Sequence, residues 1–137
     1  MNKKFLLGLI IGIFVFSGCT AASSKEVGIE NNQYAAKSGD ASLTRDTAFI
    51  DSVAWVQDPN QATPIAILIK GSLPTSCHQL RVALTQTDKE LQFEVYSVAP
   101  KDSMCAQVLA PFEATLTLAN LSGSDYTVIV NGEKKLP

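Results

Sequence analysis

The chain has 137 residues, of which 46% are apolar and 18% charged, with three cysteines and one histidine. This length fits one domain, and a formal charge of −2 argues against a nucleic-acid-binding protein, which needs a basic surface. One histidine excludes a multi-histidine metal site, and the cysteine spacings match no zinc pattern, so we expect no metal and no cofactor.

The N-terminal residues predict a secretory signal peptide over residues 1–18. Lys3 and Lys4 precede an apolar stretch, residues 5–16, that only Gly8 and Gly12 interrupt. As a helix these residues rise about 18 Å, which is too short for a hydrocarbon core of about 30 Å. A basic start, a short apolar run and small residues after it are typical of a signal peptide.

The sequence Val15-Phe16-Ser17-Gly18-Cys19 resembles a bacterial lipoprotein signal, although Phe16 stands where leucine is usual. The resemblance implies that Cys19 becomes the mature N-terminus and carries the acyl chains, palmitate among them, that hold the protein on the extracytoplasmic side of a bacterial membrane. Two acyl chains give stable membrane attachment where one is marginal. The alternatives are an ordinary signal peptide with a chance cysteine and an uncleaved membrane anchor.

Residues 19–46 are predicted to form the lipidated Cys19 and a flexible tether. Few side chains in 20–46 are large and apolar, and no period of 2 or 3.6 is sustained. Such a stretch buries too little apolar area to offset its ordering entropy. As a random coil it would span about 25–30 Å.

Residues 47–137 alternate between apolar and polar side chains, with turn signals between the alternating stretches, and no window longer than a turn or two has a helical stripe. The predicted strands are 49–56, 64–70, 80–85, 91–96, 115–118, 126–130 and a short seventh at 133–136. This pattern predicts an all-β domain, an Ig-like antiparallel β-sandwich of about seven strands. Tyr126, after a glycine-containing turn, resembles the tyrosine corner of Ig-like folds; the alternative is an ordinary core tyrosine.

Cys77 and Cys105 remain as an even pair once Cys19 is assigned to lipid, so a secreted chain is expected to join them in a disulfide. Closing a loop of about 29 residues stabilises the fold by about 3.6 kcal/mol in the chain-entropy account. We expect the bond to join a loop to the start of a strand.

Several spaced motifs resemble an uncharacterised secreted domain of bacterial lipoproteins, over residues 50–136. They are Asp51-Ser52-Val53, Ile67-x-Ile69-x-Gly71-x-Leu73-Pro74-x-x-Cys77, Met104-Cys105-x-Gln107, Pro111-Phe112-Glu113 and Tyr126-Thr-Val-x-Val130-Asn-Gly132. The resemblance implies an Ig-like sandwich with a Cys77–Cys105 bridge. It implies no activity.

No catalytic residue is predicted, and the protein is expected not to be an enzyme. His78 lacks an identifiable nucleophile and is expected to be a solvated or backbone-bonded turn residue. Glu90 and Glu94 share the outer side of one strand, where solvation is the simpler interpretation.

Five side chains are candidate contacts to a partner. Tyr96 is predicted on the outer side of its strand, and Lys101, Asp102 and Met104 lie in the loop that the disulfide would hold. Glu113 belongs to the resembling motif, where a backbone-capping role is the alternative. A loop whose conformation is already fixed binds proteins well because it loses little conformational entropy on binding.

The sequence therefore predicts a monomeric lipoprotein of the cell envelope, a non-catalytic binding or envelope-interaction module that meets the membrane through its lipid and has an envelope protein as partner. The second hypothesis is an inhibitor of a peptidase or cell-wall hydrolase. The Asn-Pro-Thr-Thr and glycine-rich loops of Ig-like cysteine-protease inhibitors are not in the sequence.

Overall fold

The structure, a computed structural model, describes residues 26–57, 60, 64–123 and 125–137, so the predicted signal peptide and Cys19 lie outside the described residues. Over the described residues the chain forms nine strands and one short 3-10 helix, Ser38–Ser42. The strands are β1 Gly28–Ile29, β2 Leu43–Thr47, β3 Phe49–Gln57, β4 Pro64–Leu73, β5 Gln79–Thr87, β6 Glu90–Pro100, β7 Ala110–Ala119, β8 Thr127–Val130 and β9 Glu133–Leu136.

The strands form two sheets. The four-stranded sheet has the order β1-β7-β4-β3, and all its pairs are antiparallel. In the five-stranded sheet, β5 pairs with one edge of β6, while β2 and β8 lie end to end on the other edge and β9 follows β8. The prediction of an all-β sandwich is confirmed. The seven predicted strands are present as β3–β9, and two more precede them.

The core lies between the sheets, where alternate side chains of the strands point inward. On β6 the buried and exposed positions alternate from Glu90 to Val95, and β7 alternates likewise from Glu113 to Leu118. The largest fully buried side chains are Phe93, Ile67, Ile69, Leu91 and Leu116. Alternation in the sequence therefore reports the face that each strand buries.

The strand pairs of the predicted antiparallel sandwich are antiparallel except one, because β6 and β8 are parallel. The chain leaves β6, runs back along β7 in the other sheet, and returns to β6 as β8. Since β7 reverses the direction once, β8 runs the same way as β6. Crossing between sheets therefore explains the parallel pair.

Asn131 closes the gap between β2 and β8 on the edge of β6. Its side-chain oxygen accepts the N–H of Val95 at 2.8 Å, and its side-chain nitrogen donates to the carbonyl of Val95 at 2.9 Å. With Gly132 it forms the two-residue turn between β8 and β9, where both residues have positive φ, 49° and 83°. One amide thus replaces a missing backbone partner in the sheet.

The prediction of a flexible tether is wrong for residues 26–46, which are part of the folded domain. Val27 is buried in the core, and β1 pairs with the end of β7. The chain then reaches β5, where Val82 donates its N–H to the carbonyl of Tyr34 at 2.8 Å and accepts from the side chain of Asn32 at 2.9 Å. We call residues 26–47 the N-terminal segment. It ends as β2, which pairs with the edge of β6 opposite to β5.

Arg81 ties the middle of the N-terminal segment to the five-stranded sheet. It lies on the outer face of β5, is 3% exposed, and donates from Nε and one terminal nitrogen to both carboxylate oxygens of Asp40, each at 2.8 Å. These hydrogen bonds lower the pKa of Asp40 from its ordinary 3.8 to about 2. The Asp40 carboxylate in turn raises the pKa of Arg81. Polar pairing, not apolar burial, therefore orders this stretch.

Candidate functional site

The predicted disulfide is present and joins Cys77 to Cys105, with Cα atoms 6.0 Å apart. Cys77 lies in the connection from β4 to β5, and Cys105 lies in the connection from β6 to β7. Both connections cross between the sheets at one end of the sandwich, which we call the disulfide end. The bond thus ties the two crossings together, and Cys77 is two residues before a strand start, as the sequence predicted.

The β6–β7 connection, residues 101–109 (the clamped loop), exposes apolar side chains to solvent. Met104 is fully exposed, and Val108 and Leu109 are 67% and 57% exposed. Lys101 and Asp102, at the start of the loop, are exposed as well. Three apolar side chains of one loop are therefore available for contact with another protein.

Hydrogen bonds within the clamped loop add to the restraint from the disulfide. The N–H and the hydroxyl of Ser103 both donate to the carbonyl of Pro100, at 3.3 and 2.9 Å. The N–H of Val108 donates to the carbonyl of Ala106 at 2.8 Å. The loop is therefore held at its start, at Cys105 and near its end.

Tyr96 lies away from the clamped loop, on the outer face of the five-stranded sheet. The guanidinium of Arg45 lies 3.6 Å from the centroid of its ring and also pairs with the carboxylate of Glu94. These side chains line an open cleft of about 800 Å³ beside Thr47 and Gln92. Tyr96 thus lies on the outer side of its strand, as predicted, with one face of its ring covered by Arg45.

Glu113 lies on the other sheet, with its side chain on the outer face of β7. Its carboxylate pairs with the ammonium group of Lys70 on β4 at 2.8 Å, and both side chains are about half exposed. The five candidate contacts therefore occupy three places: the clamped loop, the outer face of β6 and the outer face of β7. Only Lys101, Asp102 and Met104 are brought together.

His78 is not the solvated or backbone-bonded residue that the sequence predicted. Its Nδ1 lies 2.8 Å from the hydroxyl of Thr75, and its Nε2 lies 3.1 Å from a carboxylate oxygen of Asp46. A hydroxyl, an imidazole and a carboxylate in this order resemble a hydrolytic triad. Thr75, however, is 3% exposed, so a substrate does not reach its hydroxyl in this conformation. The three groups hold the turn before β5 against β2.

The described residues contain neither a metal-binding cluster nor a membrane-spanning helix. No group of three His, Cys, Asp or Glu side chains in the described part of the chain is arranged as a metal ion requires. Within the same residues, no helix is long and apolar enough to cross a bilayer.

Sequence reasoning missed a second surface, the outer edge of β7. One edge of β7 pairs with β4 along residues 110–117, whereas the other pairs with β1 only at Leu118 and Ala119. In the sequence, only Pro111 indicates this surface, because a proline within a strand is typical of an edge strand.

Comparisons with known proteins identify relatives without an assigned activity. The family profile of the ORF11 beta-sandwich domain matches residues 67–136, just over half of the chain. An uncharacterized 10.2 kDa protein in the HgiCIIM 5' region of Herpetosiphon aurantiacus is 30% identical over 84 residues, which cover 60% of this chain and 89% of that protein. A similar protein in the HgiBIM 5' region of the same organism is 32% identical over 69 residues, 49% of this chain and 84% of that protein. No solved structure matches the chain significantly.

Proposed function

We propose that this chain, which belongs to the ORF11 beta-sandwich domain family, is a lipid-anchored, non-catalytic binding module of the bacterial cell envelope. The proposal joins two features. Residues 15–19 resemble a lipoprotein signal ending at Cys19, and the clamped loop exposes three apolar side chains on a restrained backbone.

The observation that carries the proposal is that the first described residues, from Glu26, and the clamped loop lie at opposite ends of the sandwich. The carbonyl of Glu26 accepts a hydrogen bond from the side chain of Asn120, just after β7, and Gly28 pairs with Ala119. We call this the entry end. Leu109 precedes the first residue of β7, at the disulfide end. A strand of ten residues spans about 30 Å, which is the separation between the two ends.

Only a short stretch separates Cys19 from the described residues. A chain of seven residues reaches at most about 25 Å when fully extended. An acyl anchor on Cys19 would therefore hold the entry end near the membrane and present the clamped loop about 30 Å farther out. That arrangement suits a module that binds a protein located beyond the surface of the anchoring membrane.

Acylation of Cys19 is tested by membrane fractionation of cells that produce the full chain. We expect Cys19→Ser to move the protein from the washed membrane fraction to the soluble fraction, because two acyl chains provide the attachment. Ser17→Ala, which keeps a small residue before the cysteine, is the matched control and should stay with the membrane. Retention of Cys19→Ser at the level of the control would refute the anchor.

The restrained loop also supports a second candidate function, inhibition of an envelope peptidase or cell-wall hydrolase. A preformed loop with a fully exposed Met104 suits insertion into an active-site cleft, since little ordering entropy remains to be lost. Titration of the purified chain against purified hydrolases distinguishes the two functions. A stoichiometric end point that Met104→Asp abolishes would favour the inhibitor over the general binding module.

A further inference from the structure

The outer edge of β7 is an interrupted strand-pairing site. β1 pairs with β7 for two residues, and the N–H of Glu30 then donates to the carbonyl of Thr117 at 2.8 Å. Beyond Glu30 the chain turns away at Asn31, which has φ 45°, and continues to β5. In the part of the chain that the structure describes, no strand pairs with this edge of β7 from Ala110 to Thr117.

Backbone hydrogen-bonding groups alternate between the two edges of a strand. Because Thr117 directs its carbonyl to the outer edge, Thr115 and Glu113 direct their N–H and carbonyl groups to the same side. Pro111 shares this parity but has no N–H to donate. The open stretch thus offers two donors, at Thr115 and Glu113, and acceptors that continue to Pro111.

Two other outer edges, those of β9 and β3, are protected in ways that this edge is not. β9 carries Lys134 and Lys135 within its four residues, and the β3 register is irregular between Ile50 and Ser52. Lysines and bulges are the usual means by which edge strands avoid pairing with other chains. On the outer edge of β7 only Pro111 has this effect, and it lies near one end of the strand.

Each end of the open edge has a feature that would contact an added strand. At one end, a cleft of about 230 Å³ is lined by Asn31 and Gln33 on one side and by Thr115–Thr117 of β7 on the other. At the other end, the exposed Val108 and Leu109 lie immediately before the strand. An extended peptide along β7 would therefore meet amides at one end and apolar side chains at the other.

We infer that the outer edge of β7 binds an extended segment of a partner protein, which adds to the four-stranded sheet as a strand antiparallel to β7. The inference rests on the proposed role as a binding module and names how that module recognises its partner. Strand addition takes its affinity from main-chain hydrogen bonds and its specificity from alternate side chains. The partner segment would place an apolar side chain against Val108 and Leu109 and polar side chains beside Thr115 and Glu113.

A peptide segment suits this edge better than a second copy of the chain. Two copies joined through β7 in antiparallel fashion would place both Glu113 carboxylates on one shared sheet face, and like charges across strands are unfavourable. Each Pro111 would also withhold a donor from the opposing copy. A single extended segment avoids the paired carboxylates and faces one Pro111 instead of two.

The test uses the full chain in detergent micelles and, as probe, a displayed library of random twelve-residue peptides. Thr115→Pro removes an N–H from the outer edge, and Thr115→Val is the matched control that keeps it. We expect peptides selected on the unaltered chain to bind Thr115→Pro at least about tenfold more weakly, a factor equivalent to about 1.4 kcal/mol. Binding to Thr115→Val should change less than about twofold, which corresponds to about 0.4 kcal/mol. Equal binding to all three chains, or recovery of no binding peptide, would overturn the inference.

A second measurement does not depend on the folding of Thr115→Pro. N-methylation of a selected peptide at alternate residues removes either the N–H groups that pair with β7 or those that point away. We expect N-methyl groups on the residues that pair with β7 to abolish binding, and those on the alternate residues to leave it intact. In the complex, hydrogen exchange of the Thr115 and Glu113 amides should be slower than in the free chain. Equal effects of both sets, or self-crosslinking of the chain through a photoreactive residue at position 115, would contradict a peptide partner. Loss of the Cys19 anchor would leave these results unchanged, so the two proposals fail separately.

Discussion

Two irregular regions of the molecule, the N-terminal segment and the clamped loop, are held in place by opposite means. The N-terminal segment has few apolar side chains, yet it is bound along both edges of the five-stranded sheet through backbone pairing and the Arg81–Asp40 ion pair. The clamped loop has three apolar side chains that remain exposed, and a disulfide holds it. Composition alone does not decide burial: a polar stretch orders when backbone and charged partners are available, and an apolar stretch stays exposed when a covalent bond fixes its backbone.

The largest effect on stability is expected from removing the disulfide. The double variant Cys77→Ala, Cys105→Ala should lower the free energy of unfolding by about 3.6 kcal/mol, because the unfolded chain regains the entropy of an open loop of about 29 residues. Urea denaturation measures this change, and Asp102→Asn, at an exposed position of the same loop, is the control.

A loss below about 1 kcal/mol, within the usual range for single substitutions, would mean that hydrogen bonds within the loop and not the crosslink hold it. The two regions would then be held by the same kind of interaction, and the contrast between them would disappear.

A smaller effect on stability, which depends on pH, is expected from replacing Asp40. Its pKa in the folded protein, about 2, is below the ordinary 3.8, so the pairing stabilises the fold above pH 4 and is lost as the pH falls towards 2. Asp40→Asn should lower the urea midpoint at neutral pH and weaken the acid dependence between pH 4 and 2, because Arg81 loses its carboxylate partner.

The control for Asp40 is Asp102→Asn, an exposed carboxylate in the clamped loop, which should change neither the midpoint nor its pH dependence. Identical acid profiles for Asp40→Asn and the unaltered protein would show that the N-terminal segment does not depend on this ion pair.

The smallest effect is expected from truncating an apolar side chain of the clamped loop. Leu109→Ala should change the free energy of unfolding by less than about 0.5 kcal/mol, as is usual for exposed positions. The same change at the buried Leu116 should cost about 2–5 kcal/mol. Urea denaturation of both variants compares them directly, and a cost above 1.5 kcal/mol at Leu109 would mean that the loop packs on the domain.

Most of the sandwich follows from the sequence because alternation reports which side of a strand is buried. Alternation predicts the strands β3–β9, the even pair of remaining cysteines predicts the disulfide, and both are present. The order of the N-terminal segment could not be predicted in this way. Its partners Arg81 and Val82 lie about 40 to 50 residues away in the sequence, so no local pattern indicates the contact. Polar pairing over such distances is not visible in a composition or a period.

The candidate site follows from the sequence only in part. Lys101, Asp102 and Met104 were expected in a restrained loop, and the structure places them there. The open edge of β7 was missed because it depends on where β1 ends, which the sequence does not indicate. Pro111 alone pointed to an edge strand.

In the proposed arrangement, the entry end faces the membrane that an acyl chain on Cys19 would anchor, and the clamped loop faces away from it. Glu90 and Lys101 lie at the two ends of β6, so one label on each, Glu90→Cys or Lys101→Cys, reports the orientation of the full lipidated chain in vesicles. A quencher attached to lipid headgroups should reduce the fluorescence at position 90 more than at position 101, because the two positions are about 36 Å apart along the direction of β6. Equal quenching at both positions, or stronger quenching at position 101, would contradict the claim.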